Sequence, residues 1–146
     1  MPILFKSSIS EVRIAVARAL PQVIEDTADA VLTNIEQETK RQHHGRYYPS
    51  RREPGAFHQA SAPGESFATD TESLVSGMKK DAQTPLLMNI DFNDPEGKNR
   101  WAIMEFGGGR IAPRPTIVPV IEHMRDQFQH DAASAVLEAL TEQELK

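Results

Sequence analysis

A chain of 146 residues with a net charge of -5 is expected to form one domain over 1–146, long enough to bury a real core. It holds no cysteine, which excludes a disulfide framework and thiol chemistry and fits synthesis in a reducing cytoplasm. No apolar run approaches the ~18–20 residues of a membrane helix, and the opening MPILFKSSIS is too short and wrongly ordered for a signal peptide, so no membrane role is expected.

In chain order, Ser8-Ile9-Ser10-Glu11 has the form of a capping box and marks a helix start. Ile9, Val12, Val16 and Leu20 recur at helical spacing, and the pattern resumes after Pro21 with Ile24, Ala28, Val31 and Ile35. Residues 8–44 are therefore expected to be helical, as one kinked helix or two consecutive ones, with Gly45 as a cap. Residues 45–68 carry proline, glycine, serine and arginine without a period and read as a long polar loop. Thr69-Asp70-Thr71-Glu72 looks like a second capping box, opening a short helix over 70–78.

Leu86, Met88, Ile90 and Phe92 then alternate with polar residues, as in a half-buried strand. NDPEGK at 93–98 is rich in turn formers, and 99–106 alternates again, so 85–106 is expected to be an antiparallel hairpin. Ile117, Ile121, Met124, Phe128, Ala132, Val136 and Leu140 outline a C-terminal helix over 116–143. The expected class is α+β, with a small antiparallel sheet packed against the N- and C-terminal helices.

WAIMEFGGGRIAPRP at 101–115 tests for a phosphate-binding loop and fails. Such a loop needs a helix N-terminus directly after the glycines, with N–H groups converging on the anion. Here Pro113 and Pro115 intervene and carry no N–H. The glycines instead permit positive φ and close backbone approach. Glu105 is expected to pair with an arginine such as Arg110 or Arg114. His43 and His44 are adjacent, unlike an i, i+4 metal pair, and no catalytic constellation is visible, so neither an enzyme nor a metal or other cofactor is expected. The window 40–52 carries Lys40, Arg41, Arg46, Arg51 and Arg52 without an acid, a footprint that suits a polyanion or acidic protein surface.

The motifs ASAPGESFATDTESL at 60–74 and WAIMEFGGGRIAPRPTIVPVIE at 101–122 resemble the small tail-component proteins of long-tailed bacteriophages. That family includes neck, tail-completion and tail-terminator proteins and the lambda minor tail protein Z. Its pattern is Ala-Pro-x-Asp-Thr-Gly-x-Leu, then a strand ending Glu-Phe-Gly-Thr, then Ala-x-Pro-Phe leading into a helix. Asp70, Thr71 and Leu74 fit the first block; Glu105, Phe106, Gly107, Ala112, Pro113 and Pro115 fit the second. Glu72, Trp101, Gly108 and Thr116 depart from it, standing where the family has glycine, tyrosine, threonine and phenylalanine.

The resemblance implies a structural virion protein, assembled in the host cytoplasm, that closes into a homo-oligomeric ring with sixfold symmetry at the head–tail junction. Its implied partners are a head-closure or connector protein and the tail tube protein. On this reading Phe106, Gly107, Arg110, Pro113, Arg114 and Pro115 shape a subunit or partner interface. Lys40, Arg41, Arg46, Arg51 and Arg52 then meet a neighbouring ring or touch DNA in the channel transiently and without sequence preference. The alternative is a nucleic-acid-binding module that uses the same basic 40–52 segment.

Overall fold

The computed structural model describes residues 8–69 and 72–144, the last two without their side chains. It is an α+β structure: long N- and C-terminal helices pack on each other, with two small antiparallel two-stranded sheets, of which the second contacts the N-terminal helix.

Helix α1 spans Ile9–Thr39 and runs through Pro21 as one element of about 46 Å at 1.5 Å per residue. The Ser8 hydroxyl accepts the Glu11 N–H and the Glu11 carboxylate accepts the Ser8 N–H, so the capping box closes. The helix stops at Thr39, with Lys40 rather than Gly45 as its cap. Gly45 instead allows two backbones to approach closely. A Cβ there would stand 2.5 Å from the Ala60 carbonyl oxygen and 2.6 Å from that of Ser61.

That contact belongs to a hairpin inside the expected loop. Strand β1, Tyr47–Pro49, pairs antiparallel with β2, Phe57–Gln59, opposing Tyr48 to His58. Tyr47, Tyr48 and Phe57 remain exposed. The expected helix over 70–78 begins on residues outside the described set. Its described part holds only a 3-10 turn at Val75–Gly77.

The second hairpin corrects the expected one. Strand β3, Met78–Thr84, pairs with β4, Leu87–Phe92, and aligns Met78 with Phe92, Lys80 with Ile90 and Ala82 with Met88. Residues 99–106 do not return as a strand. They form helix α2, Arg100–Phe106. Lys80 hides β3 from a hydropathy reading, because it lies on the same face as Met78 and Ala82. Its ammonium reaches Glu25 at 3.1 Å and Asp29 at 2.7 Å on α1.

Helix α3, Ile117–Glu144, returns antiparallel along α1. At one end Val31 and Ile35 meet Val120, Phe67, Leu74 and Trp101, with Met78, Ile90, Phe92, Met104, Ile117 and Met124 packed around them. At the other end Ala15 meets Ala139 and Leu140. Trp101 stands edge-on to Phe67 and Phe92, ring centres 5.1 and 5.2 Å away, in the geometry aromatic quadrupoles favour. Among the described residues, no helix is long and apolar enough to cross a membrane.

Candidate interface segment

The 106–115 segment joins α2 to α3, and both of its ends are anchored. Asp94 sets the start of α2. Its buried carboxylate accepts the N–H groups of Glu96, Lys98 and Arg100 and pairs with the Arg100 guanidinium at 2.6 Å. The Arg100 side chain, then burial working against it, then the N–H groups of Arg100 and Glu96 set the Asp94 pKa, and the net effect is well below the usual carboxylate range. The turn formers of 93–98 thus start a helix rather than close a hairpin.

Glu105 anchors the far end. Its Oε2 accepts the N–H of Thr116 at 2.8 Å and of Ile117 at 2.9 Å, and its Oε1 accepts the N–H of Val118 at 2.8 Å. A buried carboxylate therefore caps α3 and meets the positive end of its dipole. The expected pairing with Arg110 or Arg114 is not made. The amide donors of α3 need an acceptor, and Pro113 and Pro115 place the chain so that Glu105 reaches them.

Between these anchors the backbone folds tightly. Gly107 has φ 78°, and a Cβ there would lie 3.0 Å from the Pro113 ring. Gly108 and Ile111 exchange both N–H···O bonds, at 3.1 and 2.9 Å, so Gly109 and Arg110 form the tip of a small turn. Arg114 is drawn inward. Its N–H donates to the Met104 carbonyl, its Nε to the Ser61 carbonyl at 3.1 Å and its Nη1 to the Ala112 carbonyl at 2.7 Å. The buried Thr116 hydroxyl accepts the Phe67 N–H at 3.1 Å.

The six residues expected to shape an interface therefore divide. Phe106 is 73% exposed, and Arg110, Ile111 and Pro113 also face solvent. Gly107 and Arg114 hold the segment in shape from within. Pro115 lines a groove of about 310 Å³ between α1 and α3, together with Asn34, Glu38, Arg41, Thr116 and His123. The segment and the basic window thus converge at this groove.

The basic window is largely engaged within the chain. Lys40 pairs with Glu36 at 2.5 Å, Arg41 with Glu38 at 2.9 Å and Arg52 with Glu72 at 3.5 Å. Arg51 is exposed near the tip of the β1–β2 hairpin. Arg46 is exposed and forms no ion pair among the described residues. The acidic partners come from 36, 38 and 72, outside the window, where a local charge count does not look.

Of the two histidines in the window, His44 is engaged by Glu65. Glu65 accepts the N–H of Ala62 at 2.8 Å and of His44 at 3.1 Å, and its Oε1 lies 2.6 Å from His44 Nδ1. The Ala62 amide, then the His44 ring and amide, hold Glu65 down to about 2. His43 is buried, and that burial lowers its pKa. Among the described residues, no group of three or more histidine, aspartate and glutamate side chains could hold a metal ion.

Comparison with protein-family models, with curated proteins and with solved structures returned no match.

Proposed function

We propose that this protein is a structural component of the head–tail junction of a long-tailed bacteriophage. It closes into a ring, on this reading a hexamer, that completes or terminates the tail and joins it to the head around a channel for DNA. The reading rests on the motif resemblance over 60–122, although Arg100–Phe106 is helical where the family pattern has a strand, and one structural observation supports it. The 106–115 segment is tied down by the hydrogen bonds of Glu105 and Arg114 and the close approach at Gly107, yet presents Phe106, Arg110 and Ile111 to solvent. A preordered surface loses little conformational entropy on association, and aromatic residues with arginine are favoured as interface anchors. The partners on this reading are further copies of the chain, a head-closure or connector protein and the tail tube protein.

The test is a phage carrying Phe106→Ala with Arg110→Ala. The expected result is filled heads and tails that stay unjoined in electron micrographs. A normal yield of joined, infectious particles refutes the assignment of the segment, and absence of the chain from purified virions refutes the reading as a whole.

A further inference from the structure

The two long helices carry opposite charge on faces that point away from each other. Ala15 packs against Ala139 and Leu140, so these residues mark the inward sides of α1 and α3 at one end of the pair. On α1 the opposite side carries Ser10, Arg13, Ile14 and Ala17, spaced i, i+3, i+4 and i+7, with Arg18 flanking them. All are exposed, and Ile14 is 53% accessible. Neither Arg13 nor Arg18 forms an ion pair among the described residues. The nearby Glu11 carboxylate is turned to the Ser8 N–H in the capping box.

On α3 the opposite side carries Ser134, Glu138 and Thr141, flanked by Leu137 and Glu142. All are exposed, with Leu137 at 46%, and neither acid forms an ion pair among the described residues. Within Ile117–Glu144 the acids Glu122, Asp126, Asp131, Glu138, Glu142 and Glu144 are opposed by one arginine, Arg125. Each face thus has one large apolar side chain, small neighbours that let helices approach, and unpaired charge of one sign.

We infer that the outer face of α1 in one copy seats on the outer face of α3 in the next, a contact that rests on the ring reading above. A second copy is the occupant because the missing complement of each face lies on this same chain, on the far side of the helix pair. An α1-to-α1 contact would set Arg13 and Arg18 against themselves, so the contact is heterologous, the kind that closes into rings. A rotation about an axis along the helices preserves height. Since Ala15 lies level with Ala139 and Leu140, Arg13 then faces Glu142, and Ala17 and Arg18 face Glu138. The contact is distinct from the 106–115 segment, which is left for the rings above or below.

The experiment is sedimentation of the full chain against concentration for wild type, Arg13→Glu/Arg18→Glu, Glu138→Lys/Glu142→Lys and the fourfold variant. Each double variant is expected to need at least about tenfold more protein to assemble, since like charges face each other. Mixing the two double variants, or combining all four changes in one chain, is expected to restore assembly. Because the chain has no cysteine, Ile14→Cys with Thr141→Cys should give chains cross-linked between copies on mild oxidation. Wild type that assembles while every charge variant assembles equally well, without cross-linking, overturns this contact and leaves the ring standing. Wild type that stays monomeric at about 1 mM, the weak end of specific association, overturns both.

Discussion

Replacing Glu105 tests whether one carboxylate organises the whole interface segment. Glu105→Ala removes the acceptor for the amides of Thr116, Ile117 and Val118. The three losses are unequal. Val118 is 41% exposed, so water can reach its amide, whereas Thr116 is 1% exposed and its amide cannot be rehydrated without opening the core. Loss of a helix cap costs about 1–2 kcal/mol. A buried donor left without a partner adds about 1–3 kcal/mol. Together these give about 3 kcal/mol for Glu105→Ala.

Glu105→Gln keeps one oxygen but turns an NH2 toward the other donors, so it should fall between wild type and alanine. Urea denaturation reads the free energy, and hydrogen exchange at Thr116 reads the cap itself. Exchange there should accelerate before the rest of α3 loosens. A loss under about 0.5 kcal/mol at unchanged denaturant slope, with Thr116 still protected, would refute the capping argument.

Contacts elsewhere give three more expected outcomes. Gly77→Ala places a methyl 2.0 Å from the Asn93 carbonyl oxygen and is expected to cost about 3 kcal/mol, whereas Gly55→Ala meets open space at φ 87° and should cost about 1–2 kcal/mol; equal shifts in thermal melts would contradict this. Glu65 stays ionised in the fold down to about 2, against an ordinary value of 4.5. Its contribution is therefore complete above pH 4.5 and is lost as pH falls toward 2, so the stability of wild type and Glu65→Gln should converge on acidification; parallel curves would rule it out. Trp101→Phe removes a buried indole N–H that has no partner among the described residues and keeps a ring against Phe67 and Phe92. It should cost less than about 2 kcal/mol, against about 3–5 kcal/mol for Trp101→Ala, and similar losses in denaturation curves would count against the orphaned donor.

The long helices and the α+β class are legible in the sequence because one apolar stripe repeats over many turns, and that signal survives even Pro21. The strands are harder to read. Phe92, Ile90 and Met88 announce β4, but its partner β3 carries Lys79, Lys80 and Asp81 and shows no alternation. Its inward lysine is satisfied by Glu25 and Asp29, residues more than fifty positions away. The β1–β2 hairpin escapes a sequence reading for a related reason. Its aromatic residues are exposed rather than packed, so no buried face imposes a period.

Residues 101–106 show why short apolar runs mislead. Trp101 and Glu105 share a face in a strand, where the period is two, and in a helix, where i and i+4 coincide. What decides is outside the run: Asp94 takes the Arg100 amide and begins a helix, and Glu105 is buried because α3 needs its charge.

That dual use of 101–115 decides how its arginines can be interrogated. Arg114 and Arg110 look equivalent in sequence, both set among prolines and glycines as interface anchors. In the structure Arg114 ties the Ser61 and Ala112 carbonyls together, so Arg114→Ala would loosen the segment whether or not it touches a partner. Arg110 sits at the turn tip and is exposed. Arg110→Ala should leave the melting temperature within about 1 °C, as exposed changes do, and yet lower the yield of joined particles. A loss of assembly with Arg114→Ala alone reports folding. A loss with Arg110→Ala at unchanged stability reports contact, and intact assembly with Arg110→Ala removes Arg110 from the interface.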